Sequence, residues 1–290
     1  MVVAPPKLEV RSVGVDDFDA IYPLLQSFGN QKMSRGDWRS MLFTYPWWDG
    51  PERGFALYAD GIAVGFLGTI FSKRRIDGRD EVFCNTSSWI VRKEYRHASI
   101  LLLKPVLAMR DCTILNWTPT DRAYQVFEKF GFRHLESLEL LLPPIAHPRG
   151  FFGASSTSDP GVLQAELRGN DKALYEALLP CANVCHLLVR VGSRRSYLIA
   201  TKRTYKRVPF AVVQYASDYD LFWKFRGAAH VGFALTMGVF GLSIDSRFAG
   251  DRKVGLSVPW PAKRLYRPAR PETPPEAIDG LFSETMMLHL

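Results

Sequence analysis

Residues 91–109 read VRKEYRHASILLLKPVLAM, and the choice of fold depends on what this stretch does. An apolar strand ends at Val91, a charged turn follows, and then an apolar helix. At nucleotide and coenzyme sites such a turn is usually rich in glycine, because backbone N–H groups must come close to a pyrophosphate. Here Arg96, His97, Ala98, Ser99, Ile100 and Leu101 fill the turn without one. Taken alone, the stretch is an ordinary strand-to-helix connection, so its neighbours must decide.

Upstream, LEVRSV (8–13) alternates as a strand does. VDDFDAIYPLLQSF then places Phe18, Ile21, Leu24 and Leu25 on one helical face, with Asp16 or Asp17 able to cap its N-terminus. Pro23 would kink this helix anywhere beyond its first turn. SRGDWRSMLFTY predicts a second helix. GFALYAD and AVGFLGTIF predict a hairpin about Asp60-Gly61, and EVFCNTSSWIV a further strand. Downstream, CTILNW is a short buried strand, TDRAYQVFEKFGF a helix closed by glycine, and RHLESLELLL a last strand. The order is strand, two helices, three strands, helix, strand, helix, strand.

The chain has 290 residues, 47% apolar and 23% charged, which predicts a packed core and room for two domains. Its formal charge is +8, and the excess lies mainly in residues 151–290, with 18 Lys/Arg against 12 Asp/Glu. A basic surface suits an anionic ligand or an acidic carrier protein. No zinc-finger spacing and no concentrated basic run points to nucleic acid. Cys84, Cys112, Cys181 and Cys185 are too sparse for a disulfide scaffold. CANVCH gathers Cys181, Cys185 and His186, but the set lacks a fourth ligand, so no metal is expected. The start shows no signal peptide, and a cytoplasmic location is expected. Residues 227–244 are apolar over the minimum length of a membrane span. Their four glycines instead predict a strand or helix, a break and a buried strand, hence no membrane span.

Residues 143–160, rich in Pro, Gly and Ser, predict a linker. It would separate a first domain (1–142) from a second, smaller one (161–258). A Pro-rich extension (259–290) would end in a helix over EAIDGLFSETMML.

The order of elements over residues 8–142, with IVRKEYRHASILLL and TILNWTPTDRAYQVFEKFGFRHLE, resembles the GNAT superfamily of acyl-CoA-dependent acyltransferases. The resemblance implies a mixed α/β (α+β) fold, with a central GNAT-like sheet whose fourth and fifth strands splay apart. It implies a second GNAT-like or cap domain after it. It further implies that an acyl-CoA, most simply acetyl-CoA, is the co-substrate, with no metal, and that a small-molecule amine such as an amino sugar or amino acid is the acceptor. An acyl carrier protein is an alternative donor, and a binding module without catalysis an alternative function. No partner beyond these and no oligomeric state is implied.

Carried over by position, Val91 would meet the pantetheine arm, and Arg96, His97, Ala98, Ser99, Ile100 and Leu101 would form the pyrophosphate turn. Family members there usually read Arg or Gln, two residues, Gly, one residue, Gly or Ala. Ser99 and Leu101 depart from this pattern, and Leu101 would crowd the phosphates. Phe127 stands on the cofactor helix where many members carry a tyrosine general acid, so Tyr124, one turn earlier, is the substitute. No strand-four glutamate is present to activate the amine. The polar candidates are Asn85 and Ser87, which alternation sets on one face opposite Thr86 and Ser88, together with Asn116 and Asp121. The acceptor would meet tryptophans among Trp47, Trp48, Trp89, Trp117 and Trp223.

Overall fold

The protein is described here by a computed structural model covering residues 6–76, 78–136, 138–144, 153–250, 252 and 254–288. The chain forms two compact units. One comprises residues 1–135, 263–277 and 282–284, and the other 136–262, 278–281 and 285–290.

In the first unit, β1 (Leu8–Val13) leads to α1 (Phe18–Gln26) and α2 (Arg35–Leu42). Phe18, Ile21, Leu24 and Leu25 are the buried stripe of α1, as their spacing predicts, and Pro23 is held inside the helix. Ser34 caps α2, its hydroxyl taking the Asp37 amide while the Asp37 carboxylate takes the Ser34 amide. β2 (Gly54–Ala59) and β3 (Ile62–Ile76) form the hairpin about Asp60-Gly61, both residues at positive φ. β4 (Arg79–Val91) follows, then a 3₁₀ segment (Lys93–Leu102) running into α3 (Leu103–Ala108). β5 (Cys112–Asn116), α4 (Asp121–Lys129) and the short β6 (Arg133–His134) complete this run.

The next strand, β7 (Leu138–Leu142), does not stay in this sheet. It pairs with β12 (Gly241–Asp245) of the second unit. That unit contains β8 (Ala154–Thr157), α5 (Pro160–Glu166), α6 (Gly169–Leu178), β9 (Val184–Val191), β10 (Arg194–Tyr205) and β11 (Val208–Ala216). α7 (Tyr219–Lys224), α8 (Arg226–Met237), β12 and β13 (Val258–Pro261) follow. The chain then returns to the first sheet as β14 (Leu265–Arg267), which pairs with β5 on one side and β6 on the other.

The two sheets therefore have the same plan. The first runs β1-β2-β3-β4-β5-β14-β6 and the second β8-β9-β10-β11-β12-β7-β13, each seven-stranded. β4 lies parallel to β5, and β11 parallel to β12. Each sheet takes its sixth strand from a distant part of the chain.

Several domain expectations are corrected by this pairing. The second unit is not a reduced cap. Residues 138–142 leave the first domain, and part of the expected linker is β8, while residues 145–152 lie outside the described residues. Among the described residues the last segment forms 3₁₀ turns at Pro275–Ala277 and Glu284–Met286 and no α-helix, because prolines and Gly280 interrupt it. Residues 227–244 divide into α8, a left-handed Gly238 and β12, as their glycines predict.

Gly241 marks how closely β7 is inserted. A Cβ there would overlap the Leu142 carbonyl oxygen and lie 2.8 Å from the Phe210 ring. Gly241→Ala is expected to destabilise the protein by about 1–3 kcal/mol, as overpacking against backbone does. Urea denaturation will measure it, and an unchanged midpoint would contradict the insertion.

Candidate active site

The site is built where the first sheet comes apart. Phe66 of β3 faces Ile90 of β4, yet Gly68 faces Ser87, so β4 carries one extra residue between these points. Ser88 sits at φ +56, the conformation of a bulged residue. The bulge breaks the alternation expected for Asn85, Thr86, Ser87 and Ser88. β5 pairs with β4 only from Val82↔Cys112 to Asn85↔Leu115. Thr86 Oγ1 donates to the Leu115 carbonyl at 2.9 Å just past the last pair, and beyond it the strands part.

A cleft of about 380 Å³ opens along β4 past the bulge. Trp89, Ile90 and Val91 form one wall, and Ala123 and Val126 of α4 the facing wall. Arg96 and Ser99 of the 3₁₀ segment line the cleft, as does Arg122 on the first turn of α4. The 3₁₀ segment begins without a side-chain cap. Among the described residues neither Arg96 nor Arg122 is held in an ion pair. The indole N–H of Trp89 is buried without an acceptor in the protein.

Of the residues expected to hold a coenzyme, Val91, Arg96, Ser99 and Ile100 line this cleft. His97 is exposed outside it. Ala98 is buried in the core and Leu101 packs against that core, so Leu101 does not crowd the turn. Phe127 is fully buried, edge-on to Trp89 at 5.7 Å and Phe132 at 4.8 Å. It supports the wall from behind.

The catalytic candidates scatter. Tyr124 does not line the cleft; its hydroxyl lies 3.2 Å from His134 Nδ1. Desolvation and the nearby Glu128 charge raise its pKa, and neither makes it a ready acid. Asp121 is exposed in the first turn of α4, which Thr120 caps, and is paired with Lys263. Asn116 closes β5 opposite Leu265, and Ser87 lies at the bulge with its hydroxyl 3.4 Å from that of Ser88. Asn85 is 2% exposed at the fork and donates through Nδ2 to Glu284, whose carboxylate also accepts from Thr118. Of the five tryptophans only Trp89 lines the cleft. Trp117 lies under Arg264, Trp223 donates to the Phe248 carbonyl, Trp47 packs tilted against Tyr45, and Trp48 stacks on Phe71.

Among the described residues no three His, Cys, Asp or Glu side chains gather as metal ligands. Burial pushes the Cys181 and Cys185 thiols up to about 12, and His186 bonds the Tyr197 hydroxyl at 2.6 Å. No helix among the described residues is long and apolar enough to cross a membrane.

The second sheet repeats the bulge. Ile199 faces Tyr215 while Ala200 faces Val213, and β11 parts from β12 after Val213↔Ile244. There, however, the helix that follows is capped by Asp218, whose carboxylate takes the Leu221 amide at 2.8 Å. A carboxylate already occupies the place an anion would take.

No family model and no curated protein matches the chain. Solved structures do. A GCN5-related N-acetyltransferase from Anabaena variabilis aligns over 91% of this chain and 73% of its own, with TM-score 0.60 and 12% identity. The fold is that of the GCN5-related N-acetyltransferases. A second such protein, from Kribbella flavida, aligns over 91% and 71%, with TM-score 0.59 and 12% identity. The glucosamine N-acetyltransferase region of a fungal multi-domain β-N-acetylglucosaminidase aligns over 91% of this chain and 38% of that one, with TM-score 0.59 and 15% identity. In this GNAT fold the splayed β4 and β5, the bulge and the cleft all belong to the first unit.

Proposed function

We propose that the protein is an N-acyltransferase, with the first unit binding an acyl-CoA in the cleft along β4. The observation that carries this is the cleft itself: an open strand edge past the bulge, apolar walls, and two unpaired arginines at its polar end. An extended arm rich in amides can add to such an edge as another strand does. The buried Trp89 N–H lacks an acceptor, a deficit worth about 1–3 kcal/mol, and an amide or thioester carbonyl in the cleft would supply one. Arg96 and Arg122 suit the coenzyme phosphates, and Ser99 adds a hydroxyl donor. The acceptor is a small-molecule amine. Amino sugars head the candidates, since a protein of this fold is a glucosamine N-acetyltransferase.

Calorimetry with acetyl-CoA, a longer acyl-CoA and free CoA tests the coenzyme. Micromolar binding by at least one, with turnover on D-glucosamine or another primary amine, is the expected result. An acyl carrier protein tested in parallel separates the two donors. Failure to bind any of these thioesters would overturn the proposal.

A further inference from the structure

Glu284 is 199 residues from Asn85 in sequence and bonded to it in space. Its carboxylate is 1% exposed and accepts from three neutral donors, Asn85 Nδ2, Thr118 Oγ1 and its own backbone N–H. Both side-chain donors stand at the fork. Asn85 is the last β4 residue paired with β5, and Thr118 comes just after β5 ends. Residues 282–284 belong to the first unit, so the end of the chain completes this corner.

The carboxylate has no cation. Glu81, buried to a similar degree, is neutralised by Arg270. Around Glu284, desolvation dominates and raises the pKa, the bonds from Thr118, its own backbone N–H and Asn85 oppose it, and no charged side chain contributes. A buried carboxylate held only by neutral donors is costly, and a glutamine would anchor the segment more cheaply. A second buried acceptor stands beside it, because Asn85 Oδ1 has no donor in the protein. A carboxylate without a cation and an amide oxygen without a donor, at one point, match the N–H groups of a primary ammonium.

We infer that Glu284, with Asn85, receives the ammonium of the acceptor and takes its proton, acting as the general base; this rests on the acyl transfer proposed for the first unit. An ammonium has no lone pair with which to attack. Away from water, a neutral carboxylic acid and amine are favoured over their ion pair, so the proton passes from nitrogen to Glu284. The freed lone pair attacks the thioester carbonyl carbon, the C–N bond forms, and the C–S bond breaks with its electrons on sulfur. The second nitrogen proton goes to the thiolate, and Glu284 releases its own to solvent. Ammonium and thioester thus become amide, thiol and one proton.

Glu284→Gln tests the assignment against acetyl-CoA with two nucleophiles: a strongly basic amine, D-glucosamine or whichever amine the wild type turns over best, and hydroxylamine, which is unprotonated at neutral pH. The variant is expected to bind acetyl-CoA as the wild type does. It should lose about 10²–10⁴-fold in kcat with the basic amine and far less with hydroxylamine. A merely structural role would lower both alike. Thr118→Val gives a second readout: losing a donor that lowers the Glu284 pKa should move the acid limb of the wild-type pH–rate profile to higher pH. Equal losses with both nucleophiles, an unmoved limb, or an E284Q enzyme with wild-type rates would overturn the base. Wild-type protein that binds acetyl-CoA but turns over no amine would overturn the transferase function, and the base with it.

Discussion

Reversing the charge of Arg96 should weaken acyl-CoA binding by about 100-fold. The guanidinium lines the polar end of the cleft and is engaged in no ion pair among the described residues, so it is free for a phosphate. A hydrogen bond to a charged group contributes about 1.5–3 kcal/mol, and Arg96→Glu removes it and adds repulsion. Arg122→Glu should act in the same direction from the opposite wall. His97→Glu is the control: one residue away, equally exposed and outside the cleft, it should change Kd by less than about threefold, as a screened surface charge does. The Arg96 effect should shrink as salt rises. Calorimetry at two ionic strengths reads all of this, and an Arg96→Glu protein with wild-type affinity would remove the phosphate end from this cleft.

The same turn shows what sequence could and could not supply. Its position between strand and helix was legible from hydrophobic period, and Arg96 and Ser99 were legible as its polar members. The error over Leu101 came from treating the turn as a glycine loop. The segment from Lys93 to Leu102 is a 3₁₀ helix, in which residues three apart eclipse one another. Arg96 and Ser99 therefore share the cleft face, while Ala98 and Leu101 share the core face. The missing glycines reflect a helical turn, and they do not obstruct the cleft.

Long-range pairing was illegible for a different reason. LELLL at 138–142 is apolar enough to pair with almost any buried strand, and nothing local chooses between its own sheet and the other. The three-residue β14 carries still less signal. Glu284 is the same problem in a side chain. Strand four shows no carboxylate at the fork, because the one that reaches Asn85 arrives from the far end of the sequence. Its donors Asn85 and Thr118 stand on or beside strands whose order the sequence did predict.

Phe127→Ala should cost about 3–5 kcal/mol, the penalty for emptying an aromatic site in a packed core. Position alone set Phe127 where many proteins of this fold family carry a tyrosine acid, yet its ring is fully buried between Trp89 and Phe132. Truncation would open a cavity directly behind the cleft wall and let Trp89 shift, so weaker acyl-CoA binding should accompany the lost stability. Phe127→Tyr separates the two roles. A residue facing the thioester would gain a useful acid, whereas a core residue gains only a buried hydroxyl without a partner, costing about 1–3 kcal/mol. The expected result is lower stability and no gain in kcat. Tyr124→Phe, which removes only a hydroxyl directed at His134, should change stability by less than about 1 kcal/mol. Urea denaturation and steady-state rates on the three variants decide it: a Phe127→Tyr enzyme that is faster and equally stable would return this side chain to the catalytic face.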